Sequence, residues 1–216
     1  MATIGILGGT GPAGRGVAVR LASGGHDVVL GSRDPERAVE VAAHLTPRGS
    51  GAVRGAGNPE AALADVVIVA TPWESTLATL RPLREALGGK VVVSMVNALV
   101  KEGREMLPIY PPRGSVAAHV AALLPTSLVV GAFHHLPAAQ MEDLDSGLAA
   151  DVVIVGDDGT ARDRVAELVR TMPGLRPVVA GSLSLASAVE AFTAVCISVN
   201  IAYRAHSYVT LQGLNA

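Results

Sequence analysis

The spacing Gly9-x-Gly11-x-x-Gly14, set directly after a short apolar run, constrains this chain more than any other feature. Thr3-Ile4-Gly5-Ile6-Leu7 reads as a β-strand. A helical pattern follows and stops at Gly24-Gly25, and Val28-Val29-Leu30 is the next strand. Val17, Leu21 and the alanines form the inward side of that helix, with Arg15 and Arg20 placed elsewhere. Strand, helix and strand within about 30 residues make a βαβ unit, which requires a parallel pair of strands. The glycines then have separate tasks. Gly9 permits the tight turn, Gly11 lets backbone approach a pyrophosphate, and Gly14 allows close packing of helix on strand. The phosphates face the helix N-terminus. Among 24 glycines in 216 residues the spacing alone arises by chance, so its place between strand and helix carries the weight. A purely structural turn is the alternative. Pro12 suits a first helical turn but removes one amide donor from the loop.

The alternation continues along the chain. Asp34 caps a helix over 35–45, and a weak strand lies near 52–54. Asn58-Pro59 caps a short helix ending near Ala64. Val66 to Ala70 is a β-branched run suited to a strand buried on both faces. A helix over 74–87, a strand over 90–94, and a long irregular connection over 97–115 follow. Then come a helix over 115–124, strands over 128–133 and 152–155, a helix over 160–172 and a strand over 177–180. From Ser182 strand signals cease, and 184–208 reads as one long helix or two abutting ones. The expected class is α/β: a Rossmann-type, doubly wound, mainly parallel sheet with a small C-terminal α-helical part. Residues 1–180 form the dinucleotide-binding domain and 181–216 the helical segment.

Composition excludes several functions. Half the chain is hydrophobic, which allows a large core. The net charge of −2 and 3% aromatic content argue against nucleic-acid binding. The charge-free stretch Ala191–Tyr203 falls short of a membrane span, and no signal peptide is recognisable. A single cysteine, Cys196, makes no internal disulfide, so the cytoplasm is the expected compartment. Six scattered histidines include the adjacent His134 and His135. In extended chain these point to opposite faces, so no metal is expected.

The end of the second strand selects the cofactor. An acidic residue there binds the ribose of NAD, but this chain has Gly31-Ser32-Arg33, with Arg37 one helical turn on. Hydroxyl and guanidinium groups suit a 2′-phosphate, hence NADP. Thr10 can add a hydroxyl. Surface arginines are the alternative. Thr71-Pro72-Trp73 ends the buried strand, where Pro72 breaks it and Trp73 is either a wall beside the cofactor or a core residue. Asn97, past the next strand, could reach the ribose or nicotinamide, or be a satisfied buried amide. One histidine of the run His134-His135-Leu136-Pro137-Ala138 is placed at the mouth of the sheet. No Tyr-x-x-x-Lys pair, nucleophile elbow or P-loop occurs.

Taken with Arg20-Leu21-Ala22-x-x-Gly25-His26, Pro72-Trp73-Glu74, His134-x-x-Pro137-Ala138-Ala139 and Gly174-Leu175-Arg176-Pro177, these motifs cover almost the whole chain. Together they resemble the NADP-dependent reductases of coenzyme F420, an 8-hydroxy-5-deazaflavin. The resemblance implies a cytoplasmic homodimer and reversible hydride exchange between NADP and coenzyme F420. It places Thr10, Gly11, Pro12 and Ala13 at the phosphates, and Ser32, Arg33 and Arg37 at the 2′-phosphate. It puts Thr71 by the adenine or ribose, Asn97 near the nicotinamide ribose and Ala138 near the carboxamide. The chain departs from the family pattern at Pro12, Ser75 and Asn97. The deazaflavin ring is expected near His134, Leu136 and Pro137, with the C-terminal helices closing one side. No catalytic residue is assigned. An NADPH reductase of a small carbonyl or imine substrate and a non-catalytic NADP sensor are the competing functions.

Overall fold

The computed structural model describes residues 2–214. The first half of the sheet is built from β1 (Thr3–Leu7), α1 (Pro12–Ser23), β2 (Asp27–Ser32), α2 (Pro35–Ala43), β3 (Val53–Gly57), α3 (Asn58–Ala61) and β4 (Val66–Val69). Then come α4 (Trp73–Leu80), a 3-10 turn (Arg81–Leu83), α5 (Arg84–Leu87) and β5 (Val91–Ser94). A hairpin of β6 (Leu99–Glu102) and β7 (Glu105–Pro108) precedes α6 (Val116–Leu123), β8 (Leu128–Gly131) and α7 (Ala138–Glu142). The chain closes with β9 (Ala150–Gly156), α8 (Gly159–Thr171), β10 (Leu175–Gly181), a second 3-10 turn and α9 (Ala186–Tyr203).

The main sheet has eight strands in the order β10-β9-β8-β5-β4-β1-β2-β3. Every neighbouring pair is parallel except β8 with β9, so the expected doubly wound, mainly parallel sheet is what forms. Alternation along β4 shows why its run is continuously apolar: Val66 and Ile68 enter one core, Val67 and Val69 the other. The first core packs under α1 and α8, the second under α3, α5 and α6. The strand order reverses between β1 and β4, which opens a crevice past their carboxyl ends.

Four expectations are corrected. The helix over 74–87 is broken at Arg81–Leu83, because Pro82 cannot extend α4. The 97–115 stretch is not irregular throughout: Leu99–Glu102 and Glu105–Pro108 pair antiparallel across Gly103-Arg104, with Gly103 at φ 59°. Asn58 does not cap α3; Gly57 holds that position, and Asn58 is its first residue. Arg20 does not face away from the core. It is only 2% exposed, because α7 and the 173–174 turn cover its side of α1. The capping role of Asp34 stands, since its carboxylate accepts from the Arg37 amide at 3.1 Å.

At the outer strands, Asp151 of β9 is buried and accepts from Arg176 Nε and Nη2, both at 2.7 Å, and from the Leu211 amide at 2.6 Å. These bonds hold its carboxyl below the ordinary range and tie the C-terminal residues to the sheet. The ionised form therefore supports folding at neutral pH, and that support is lost as pH falls below about 4. Asp151→Asn should cost about 1–2 kcal/mol in urea unfolding at pH 7, with solvent around Arg176 reducing the loss. The difference from wild type should shrink as the pH is lowered below about 4.

Candidate functional site

The glycine loop lies past the end of β1. Its amides are oriented by partners from three elements. The Gly9 amide donates to the Gly31 carbonyl at 2.9 Å, and the Gly8 amide donates to Asn58 Oδ1 at 3.1 Å. The Arg15 amide closes the first helical turn on the Gly11 carbonyl. Gly14 is glycine for packing, since a Cβ there would stand 2.6 Å from the Gly9 carbonyl oxygen. Gly11 differs: the nearest atom to a Cβ there is 4.0 Å away, so no packing within the chain demands its smallness. Its backbone borders an open cleft, which is where a pyrophosphate would need bare amide to approach.

That cleft has a volume of about 1010 Å³. Thr10, Gly11, Pro12, Ala13 and Gly14 line it together with Ser32, Arg33, Arg37, Thr71 and Pro72, so residues far apart in sequence meet at one place. Gly9 sits behind the loop against Leu30 and Ile6. Both Arg33 and Arg37 are exposed, and neither guanidinium pairs with a carboxylate among the described residues. Ser32 Oγ accepts from the Asp34 amide at 3.1 Å, which fixes the turn carrying Arg33. Thr71 is held by a 2.9 Å hydroxyl pair with Thr76. The arrangement fits a dinucleotide with a 2′-phosphate.

Sequence reasoning missed Asn58 as a site residue. Its side chain pins Gly8 across 50 positions, and only an Asn directly after the third strand hinted at it. Trp73 is not brought into the cleft. It begins α4 and lies half-buried against the second core, with its indole Nε1 unpartnered.

The second part of the site lies past β5 and β8, which are neighbours in the sheet. His134 is 5% exposed and its Nδ1 is 3.0 Å from Asn97 Oδ1. That oxygen carries no proton, so Nδ1–H donates, and Nε2 is left as an unpartnered lone pair. Thr193 of α9 donates toward Asn97 Oδ1 and the His134 carbonyl, at 3.1 and 3.2 Å. His135 Nε2 donates to the Val189 carbonyl, so the two histidines serve different partners. Phe133, just before them, holds φ 67°, a conformation costing on the order of 1 kcal/mol or more for a non-glycine residue. A Cβ on Gly131 would stand 3.0 Å from Val155 Cγ2 and 3.3 Å from His134 Nε2, so the imidazole and Val155 together close the space beside the end of β8. Leu136 packs half-buried on the first core, and Pro137 precedes α7. Ala138 borders a smaller cleft with Pro12 and Arg15, beside the glycine loop. No group of three or more metal-ligating side chains occurs among the described residues.

Fold and cleft define an NADP-type dinucleotide-binding α/β protein. Residues 3–98 bear this out: they match the family model described as NADP oxidoreductase coenzyme F420-dependent. The chain is 39% identical to the F420-dependent NADP reductase of Methanocaldococcus jannaschii over 211 residues, 93% of each chain. It is 34% identical to the enzyme of the same name from Methanothermobacter marburgensis over 93% of each chain. A crystal structure of a candidate F420-dependent NADP reductase from Arthrobacter sp. FB24 superposes with TM-score 0.81 at 26% identity, covering 96% of this chain and 97% of that one. The chain belongs to the F420-dependent NADP reductase family.

Burial and the neighbouring His135 lower the His134 pKa to about 3. The folded ring therefore stays neutral where an unfolded one would protonate, so its contribution to stability is full above about pH 6.5 and is lost as the pH falls toward 3. In NMR spectra of ring-labelled protein, the His134 signal, assigned with His134→Gln, should not shift between about pH 5 and 8. A titration near pH 6.5 would contradict the burial.

Proposed function

We propose that the chain catalyses reversible direct hydride transfer between NADP(H) and coenzyme F420, with both held along the carboxyl edge of the sheet. The observation that carries this is the single cleft that joins the bare Gly11 amide to Ser32, Arg33 and Arg37. NADPH supplies the hydride when bound, and the deazaflavin accepts it as substrate. The protein's part is to bind and align. The loop from Gly9 to Gly14 receives the pyrophosphate, Ser32, Arg33 and Arg37 the 2′-phosphate, and Thr71 with Pro72 the ribose side. Asn97 and Ala138 face the nicotinamide end. His134, Leu136 and Pro137 form the deazaflavin side, and the segment 181–216 closes over it.

His134 is no general acid here. Its Nε2 is a lone pair, and the ring stays neutral far below neutral pH. A carbonyl or imine reductase needs a proton donor at this point, whereas transfer between two redox cofactors does not. Mixing the protein with NADPH and oxidised coenzyme F420 should bleach the deazaflavin absorbance, and no bleaching would overturn the proposal. With stereospecifically deuterated NADPH the label should appear on the deazaflavin carbon and none in water.

Arg33→Ala should cost about 1.5–3 kcal/mol of NADPH binding energy and leave NADH nearly unaffected. Titration with both cofactors checks this, since equal losses would place Arg33 outside the 2′-phosphate pocket.

The outer face of α9 supports a homodimer. Phe192, Val195 and Val199 share that face and are 45%, 51% and 38% exposed. By length and mean hydropathy, 1.7, Leu183–Tyr203 could also cross a membrane. Within it, however, Glu190 accepts from the Val116 and Ala117 amides and Thr193 from α9 reaches Asn97, which fixes the helix to the domain. Sedimentation at micromolar concentration should therefore give a two-fold dimer, with a second copy covering this face.

A further inference from the structure

Arg20 makes an arrangement that the hydride-transfer scheme does not yet use. Its guanidinium is buried beside the last turn of α1 and makes no ion pair among the described residues. It donates to main-chain carbonyls instead: Nε to Met141 at 2.9 Å, Nη2 to Gln140 at 2.6 Å and Asp143 at 3.0 Å, and Nη1 to Pro173 at 2.5 Å. Three of these acceptors lie at the C-terminal end of α7, where helical carbonyls lack intrahelical partners. A five-residue helix has too few turns to hold itself, so tertiary contacts must place α7. The second contact is at Gly16, one turn before Arg20. A Cβ there would stand 2.4 Å from Met141 Cβ and 3.3 Å from the Ala138 carbonyl oxygen. Helix α1 thus fixes α7 at both ends while its own N-terminus opens onto the phosphate loop.

We propose that Arg20 is a positioning residue for hydride transfer. It locks α7, and through it Leu136, Pro137 and Ala138, at a fixed offset from the helix that receives the pyrophosphate. This rests on the reading above that the 134–138 segment faces the nicotinamide and the acceptor ring. The phosphate end and the reacting end of one cofactor are then held by one helix. Lysine cannot replace arginine, because one ammonium cannot reach carbonyls on three sides as the planar fork does.

The test uses two ligands that share the phosphate end. NADPH has a nicotinamide, and 2′-phospho-ADP-ribose lacks it. In calorimetric titrations, Arg20→Met should weaken NADPH severalfold and leave 2′-phospho-ADP-ribose unchanged. Turnover with coenzyme F420 should fall on the order of 10²-fold, the loss expected from a displacement of about 1 Å. The deuterium isotope effect on kcat should rise as alignment becomes limiting. Arg20→Lys should fall between Arg20→Met and wild type. Gly16→Ala keeps the guanidinium but pushes α7 away, and should give the same split even if Arg20→Met does not fold. Equal weakening of both ligands in the variants, or lower thermal stability with kcat and isotope effect unchanged, would show Arg20 to be merely structural and overturn the proposal. If wild-type protein binds both ligands equally, the placement of the nicotinamide itself fails, and the proposal fails with it.

Discussion

At the ligand edge, backbone meets backbone between Gly9 and Gly14, and the other contacts there depend on that approach. A methyl group at position 14 would collide with the Gly9 carbonyl at 2.6 Å and lift α1 off the end of β1. With the backbone at Gly9 and Gly14 in contact, the Gly9 amide donates to the Gly31 carbonyl, and the loop is fastened to the end of β2. Arg33 is then carried to the same cleft as the first helical amides. Local close packing and long-range assembly of the site are here one event. The net charge of the protein, which is slightly negative, matters less to an anionic cofactor than these few placed groups.

Much of this was legible because buried parallel strands leave an unmistakable mark. Val66 to Val69 and the run before Gly9 are apolar on both faces and end in breakers. The phosphate loop and Ser32-Arg33 were readable for a related reason: their chemistry depends on neighbours a few positions away. The hairpin of β6 and β7 was obscured by the prolines around it and by strands that do not alternate, although Gly103-Arg104, with Gly103 at positive φ, is itself a two-residue turn signal. Other features were hidden in principle. Asn58 acts on a residue 50 positions earlier, and Arg20 looks like an ordinary polar position on an amphipathic helix. Nothing in the local pattern announces that α7 will arrive to cover it.

The second half of the site is organised by polar groups that satisfy one another. Asn97, His134 and Thr193 come from a strand end, a loop and the last helix, and each one's orientation depends on the other two. Such a ring of bonds keeps the imidazole in a single tautomer and makes α9 part of the site. Family membership supplies the reaction, and these contacts fix the side chains past β5 and β8, where no group of three or more metal-ligating side chains occurs among the described residues.

Gly131 shows how such a site spreads into the scaffold. It is an unremarkable member of β8, paired with Ser94 of β5, and faces no cleft. Yet a Cβ there would stand 3.0 Å from Val155 Cγ2 and 3.3 Å from His134 Nε2, so both side chains close on the space its missing side chain leaves. Substitution is therefore not free at this position, although it is remote from the phosphate loop's cleft. A bulkier residue at 131 must displace the Val155 side chain as well as the His134 ring, so this one small position ties β9 to the loop after β8.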